Sequence, residues 1–182
     1  MAEMKWLGRA GAVWGILGVT ILLGSAIYRL SPLAIASFAE PLGPMHYVGY
    51  VVSLFFLGYT EGYKAFQKQF SPRVVARAQY LAANPSALRV LIAPLFCMGF
   101  FHATKKRLII SWMLSVGIIG LILIVSRVPQ PWRGIVDLGV VVALAWGVIA
   151  MWYFASRALS GGTMPVPADV PSDAAPALAE AA

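Results

Sequence analysis

Long apolar runs without charge are the main pattern of this chain. Three stretches of 19 or 20 residues contain no charged residue, and a fourth of similar length begins just after Asp137. These runs are Ala10–Tyr28, Pro41–Thr60, Leu108–Ser126 and Leu138–Ser156. A helix of this length crosses a hydrocarbon core of roughly 30 Å. The pattern predicts an all-α integral membrane protein, a bundle of four transmembrane helices with spans at about 10–28, 44–62, 108–126 and 136–156.

A shorter apolar stretch, Leu91–Phe101, lies between the second and third runs and contains Pro94. Apolar stretches this short more often enter a membrane and return than cross it. We therefore expect an interfacial and re-entrant region at 71–104, with a fifth crossing as the alternative. Within it, a helix that starts at Ser71-Pro72 would place Arg73 and Arg77 on one face. Such a basic amphipathic helix is typical of a cytoplasmic helix on the membrane surface.

The basic residues predict the orientation. With four crossings and the N-terminus inside, 11 Lys and Arg residues lie on the inner side and 3 on the outer side. Five crossings would move Lys105-Lys106-Arg107 outside and weaken this asymmetry, which the positive-inside rule favours. We expect both termini in the cytoplasm and a bacterial cytoplasmic (inner) membrane as the location. The net charge of +7 follows from this rule, so the sequence does not point to nucleic acid.

Composition divides the chain in two. Only 12% of residues are charged, whereas a soluble domain has about a quarter. Residues 1–159 are predicted to form the bundle, with the first run kept as an anchor because it is longer than the apolar core of a secretory signal. After Ser160 the chain is rich in Ala and Pro with acidic residues, which predicts a disordered tail at 160–182.

Small residues at helical spacing predict where helices pack closely. Gly8, Gly11, Gly15 and Gly18 share one face of the first helix, and Gly139, Ala143 and Gly147 line the last one. Small side chains let two helix backbones approach in lipid.

Two residues are candidate ligand or ion sites. Glu61 lies at the inner end of the second span, and ionisable groups near membrane depth are candidates for function. Lys64, three residues later, offers it a local ion pair as the alternative. His102 precedes the basic triplet, while His46 lies at the opposite end of the second span, so the two cannot share a haem or a metal. No metal set or cofactor motif is present, and Cys97 is the single cysteine.

A run of bases is expected to contact anionic lipid headgroups on the cytoplasmic side. Its members are Lys64, Lys68, Arg73, Arg77, Arg89, Lys105, Lys106 and Arg107.

Three functions fit these patterns. The sequence favours a non-catalytic membrane subunit, scaffold or accessory factor that associates with a membrane-protein partner or with itself. A small oligomeric transporter or channel is the second hypothesis, because a segment broken by proline at membrane depth often lines a substrate site. A lipid-modifying enzyme built on Glu61 and His102 is the third. It is ranked last because no nucleophile or carboxylate pair is recognisable, and an enzyme is therefore the less favoured class.

Overall fold

The structure is a computed structural model, and it describes residues 2–171. Every regular element in that part of the chain is a helix. In chain order these are α1 (Ala2–Ala36), a 3-10 turn (Ser37–Ala39), α2 (Pro44–Leu57), a π-helical segment (Gly58–Phe70), α3 (Ser71–Ala83), α4 (Ala87–Leu91), α5 (Ala93–Met98), α6 (Lys105–Val125) and α7 (Trp132–Leu159). The predicted all-α class is confirmed.

Three helical stretches are long and apolar enough to cross a membrane: Trp6–Ala39, Lys105–Val125 and Trp132–Leu159. The predicted spans at 10–28, 108–126 and 136–156 fall on them. The remaining predicted span, 44–62, falls on α2 and the start of the π-helical segment, and α2 alone has 14 residues. The four-span count therefore stays a prediction.

The α2, π-helical and α3 segments follow one another without a loop, since Gly58 and Ser71 both keep right-handed helical dihedrals. A π-helix has i→i+5 hydrogen bonds and hence more residues in each turn than an α-helix. Gly62, Phe66 and Ser71 all contact α7: Gly62 lies beside Ala143, Phe66 beside Gly147, and Ser71 Oγ donates to Gly147 O at 2.9 Å. Residues spaced four or five apart, from the π-helical segment to the first residue of α3, therefore face α7.

Contacts along α7 define two ends of the bundle. At one end, Gly134 lies beside Ser37 after α1, and the Gln130 side chain donates to Leu33 O at 3.1 Å. At the other end, the second half of α7 packs on α3. We call the first the hairpin end, because it contains the α6–α7 connection, and the second the α3 end.

The α3 helix lies in the core, which differs from the predicted surface helix. Val74, Val75 and Leu81 are at most 1% exposed, and Arg77 is completely buried. Contacts with α1 and α7 cover the aliphatic side, and contacts with α5 and the chain after α7 cover the side that carries Arg77. The prediction of a surface helix is wrong because both of its faces have protein partners.

The α4–α5 segment rises along the first half of α1. Val90 lies next to Gly11, Cys97 next to Gly15 and Pro94 next to Gly18. The chain then turns at Gly99, whose φ of +83° is a left-handed conformation that glycine adopts without steric cost. It returns to the α3 end, where α6 begins. This course is compatible with the predicted re-entrant segment, which stays a prediction.

The beginning of the predicted disordered tail follows a defined path. We call residues 160–171 the tail segment. Its Met164, Ala168 and Val170 pack against the core beside α3, and Gln79 donates to Gly162 O at 3.4 Å. The structure therefore differs from the prediction over these residues, and 172–182 lie outside the described residues.

The α6 helix stands apart from the bundle. Within residues 2–171 it makes only marginal contact with other helices. Its attachment is at its first turns, where Ser111 Oγ donates to Met98 O at 3.2 Å and Trp112 meets Phe100 edge-on.

Candidate functional site

The side chain of Arg77 is the most unusual polar feature of the fold. Its Nε donates to Phe96 O at 2.6 Å and its Nη1 to Ala168 O at 2.7 Å. Its Nη2 donates to both Phe101 O and His102 O at 3.0 Å. The guanidinium also lies 4.2 Å from the centre of the Phe96 ring. One side chain therefore ties α3 to α5, to the following turn and to the tail segment.

Backbone carbonyls solvate this charge. No carboxylate of residues 6–171 lies within ion-pair distance of Arg77. Burial lowers the pKa of the Arg77 guanidinium to about 10, so it stays charged at neutral pH. An exposed guanidinium would be needed for a headgroup contact, so the prediction that Arg77 binds lipid is wrong. Arg77 is a structural cation.

A second group of charges surrounds a cavity of about 350 Å³ at the α3 end. We call it the basic cavity. Its lining residues are Gln69, Arg73, Thr104, Lys106, Arg107, Ile110 and Asp169. Arg73 Nε lies 2.9 Å from Asp169 Oδ2, but its N–H does not point at the oxygen, so the contact is an ion pair rather than a hydrogen bond. Three cations around one carboxylate can attract a further anion.

Of the predicted lipid-contact residues, the structure gathers only Arg73, Lys106 and Arg107 at this cavity. Lys64 and Lys68 are exposed and lie 4.8 and 5.1 Å from the ring centres of Tyr59 and Tyr63, respectively. Arg89 donates to Asn84 O at 3.3 Å and faces the Tyr80 ring. Lys105 is exposed.

Glu61 and His102 occupy separate surroundings. Glu61 is exposed on the π-helical segment, and no ion pair joins it to Lys64 among the described residues. His102 has a φ of +48° and stacks on the Phe96 ring, with its Nε2 buried and without a hydrogen-bond partner. Burial, followed by the charges of Arg89 and Arg77, lowers the pKa of His102. The two residues predicted as candidates do not share a site.

The other histidine has a local structural role. His46 Nδ1 accepts from Gly43 N at 2.9 Å and so caps the start of α2, while its ring meets Trp132 edge-on. In the described part of the chain, no three His, Cys, Asp or Glu side chains are grouped as a metal site.

All of the predicted packing residues lie at helix contacts. Gly8 faces the Ala82 backbone, and the next three glycines face α4 and α5. Gly139 faces Ser53 and Leu57, and Ala143 is 2% exposed. A Cβ at Gly147 would come within 2.5 Å of the Phe66 ring. These contacts hold α1 and α7 against the rest of the bundle.

The position of Asp169 in the basic cavity was not predicted from the sequence. Its region was predicted to be disordered from composition, and its neighbours Ala168 and Val170 offer only a weak apolar pattern. The carbonyl partners of Arg77 were also missed, because backbone acceptors leave no signature in a sequence. No protein family, curated protein or solved structure matches the chain.

Proposed function

We propose that the protein is a non-catalytic polytopic membrane subunit, scaffold or accessory factor, and that α6 is the helix through which it joins a membrane complex. The observation that supports this proposal is the separation of α6 from the bundle. Its 21 residues include a long apolar stretch of which only 6% is buried within the chain. The neighbouring α7, with 44% of its corresponding stretch buried, already has its partners.

The small residues of α6 support contact with a second helix. Ser111 faces the bundle through Met98. At about 100° per residue, Gly117 and Gly120 lie on the opposite side of the helix from Ser111. In the described part of the chain nothing beyond α6 itself lies within 4 Å of a Cβ placed at either glycine. Small residues on an open face allow a partner helix to approach closely.

The proposed topology has four spans, with both termini in the cytoplasm of a bacterium and the bundle in its inner membrane. The two bundle ends support it. Arg73, Arg77, Arg89 and the Lys105–Arg107 triplet lie at the α3 end, whereas Arg127 and Arg133 flank the α6–α7 connection at the hairpin end. This division follows the positive-inside rule when the α3 end is cytoplasmic.

The two alternative functions have less support from the geometry. A substrate path beside α4–α5 needs open volume, but Ala93, Phe96 and Cys97 are at most 1% exposed in protein packing. A lipid-modifying centre needs Glu61 and His102 together, and they lie in different surroundings. Partner binding through α6 needs no reactive group.

The test is association of the full-length protein extracted from its native membrane in lipid nanodiscs. We expect the wild type to co-purify with a membrane protein or with a second copy, and Gly117→Leu/Gly120→Leu to lose that partner while the melting temperature of the isolated protein is equal or higher. Ser115→Leu places a leucine on the bundle-facing side of α6 instead and should keep the partner. A wild-type protein that elutes alone, or a double variant that retains its partner, would contradict the proposal.

A further inference from the structure

We infer that the basic cavity binds the phosphate group of an anionic ligand. The inference takes from the proposed function only that the α3 end lies at the membrane–water interface. It does not depend on what α6 contacts. Its starting point is the convergence of three cations from two helices, Arg73 of α3 with Lys106 and Arg107 of α6.

The charges in the cavity are not balanced. Asp169 supplies one negative charge and forms an ion pair with Arg73, which leaves two positive charges without a counter-charge among the lining residues. Like charges brought together in a partly buried site repel each other unless an anion lies between them. A phosphate group, which carries between one and two negative charges, has the charge that the cavity lacks.

A buried hydrogen-bond donor is also left over. Nε of Arg107 is buried and has no hydrogen-bond acceptor, whereas Nε of Arg73 lies 2.9 Å from Asp169 Oδ2. Buried donors normally have a partner, so the orphaned Arg107 N–H beside the cavity indicates an acceptor that the chain does not supply. Arginine presents several N–H groups in a planar fork, which suits phosphate oxygens.

The start of α6 adds donors at the same place. Thr104 precedes the helix and lines the cavity, yet its side chain makes no capping hydrogen bond. The first backbone N–H groups of a helix have no partner within the helix, and they carry the positive end of its dipole. A 21-residue helix that begins at a cluster of bases therefore reinforces the attraction of an anion.

The Asp169 carboxylate competes with an incoming phosphate for Arg73. Its backbone has a φ of +51°, an uncommon conformation that Asp tolerates, and its carbonyl accepts from Thr104 N at 2.9 Å. The tail segment thus holds a carboxylate among the bases. An incoming phosphate has to share Arg73 with this carboxylate or displace it, so removing the Asp169 charge should strengthen phosphate binding.

The ligand is a phospholipid headgroup or a free phosphate. Ile110 lines the cavity beside the polar groups and is 43% exposed, so the cavity opens onto the apolar flank of α6. A lipid would place its phosphate among the bases and its acyl chains along that flank. Both ligands use the same chemistry, and the experiment separates them.

The experiment titrates the purified full-length protein, in maltoside micelles, with dioctanoyl phosphatidic acid or with inorganic phosphate, and follows its melting temperature. We expect Arg73→Gln/Arg107→Gln to weaken the apparent affinity about tenfold or more, since each lost charge-assisted hydrogen bond costs about that factor. Arg9→Gln/Arg157→Gln removes the same charge from exposed positions at the same end and should bind within about twofold of wild type. Asp169→Asn should bind several-fold more tightly.

Stabilisation by phosphatidic acid alone would identify a lipid headgroup, and stabilisation by both probes a site open to free phosphate. An equal loss in the two double variants would overturn the inference, because it would mean diffuse surface attraction. So would unchanged or weaker binding by Asp169→Asn, a gain that misfolding cannot imitate. Gly117→Leu/Gly120→Leu leaves the cavity intact, so it separates failure of this site from failure of the proposed function.

Discussion

The α6 and α7 helices are both long and apolar enough to cross a membrane, yet they differ in how much of their surface other parts of the chain cover. In α7, 44% of the most apolar stretch is buried, and in α6 the fraction is 6%. Since both have the length and apolar composition of a membrane span, hydropathy does not distinguish them. The difference lies in their small residues, which make one continuous face in α7 and two opposed faces in α6.

The contact faces explain how this works. Gly139, Ala143, Gly147 and Ala150 recur every three or four residues, so Leu57 of α2 can approach α7 at Gly139 and Phe66 of the π-helical segment can approach it at Gly147. In α6, Ser111 and Ser115 are on one side and Gly117 and Gly120 on the other. In the described part of the chain, the Ser111 end of α6 meets the bundle, through Met98 and Phe100. Apolar side chains suit a helix to lipid, whereas the positions of its small residues determine where other helices can pack against it.

The largest effect on stability should come from removing the charge of Arg77, which holds α3, α5 and the tail segment together. Arg77→Met keeps an unbranched apolar side chain but leaves the carbonyls of Phe96, Phe101, His102 and Ala168 without their donor. Loss of these buried charged hydrogen bonds should lower the free energy of unfolding by about 3–5 kcal/mol. The measurement is reversible unfolding in mixed micelles.

Two controls accompany the Arg77 variant. Arg77→Lys keeps the charge but cannot reach four carbonyls at once, so it should lose part of the stability. Leu114→Ala truncates a side chain of α6 that is 53% exposed and should change the unfolding free energy little. Wild-type stability of Arg77→Met would show that the hydrogen bonds from Arg77 to the four carbonyls contribute nothing to the free energy of unfolding.

A smaller effect should distinguish α7 from α6 directly. Gly139→Leu forces a side chain into Ser53 and Leu57, and overpacking of this kind costs about 1–3 kcal/mol. Gly117→Leu has open space and replaces glycine by a better helix former, so its unfolding free energy should be equal or higher. The same unfolding assay compares the two. Equal destabilisation would mean that α6 packs within the chain as closely as α7.

The sequence was informative where local physics determines the outcome. Uncharged runs predicted α1, α6 and α7, and glycine spacing predicted the faces of α1 and α7 that meet other helices. These properties depend on residues within a few turns of one another. The π-helical segment was not predicted, because the shift from i→i+4 to i→i+5 bonding has no clear signature in Gly58–Phe70.

Contacts between distant residues account for most of the errors. The helical period of α3 put Arg77 on a polar face, and a polar face is expected to meet water or lipid headgroups. Its acceptors are instead carbonyls 19 and 91 residues away along the chain. The tail segment was judged by the composition of 160–182 as a whole, although Met164, Ala168 and Val170 suffice to fix its first part on the core. Composition averages over such anchors.

The smallest expected effect is a pH dependence of stability that comes from the turn between α5 and α6. His102 lies in the turn that connects α5 to α6, facing Tyr80 and Phe96 as well as the charges of Arg77 and Arg89. Burial is the main cause that lowers its pKa in the fold, with the two arginines adding to it. The folded state therefore holds the proton less tightly than the unfolded chain, in which the pKa is about 6.5. Its contribution to stability should be complete above that pH and should decrease as the pH falls toward the lowered pKa.

The melting temperature of the wild type should thus fall as the pH drops below about 6.5, and His102→Asn should remove the part of that fall that comes from this imidazole. Asparagine is chosen because it tolerates the left-handed backbone that His102 adopts. Arg89→Gln should reduce the pH dependence without abolishing it, since burial remains. Identical pH profiles for the wild type and His102→Asn would mean that the turn accepts a second positive charge beside Arg77 at no cost. In that case the turn between α5 and α6 would be weakly packed, and the weakly held part of the chain would begin at α5 rather than at α6.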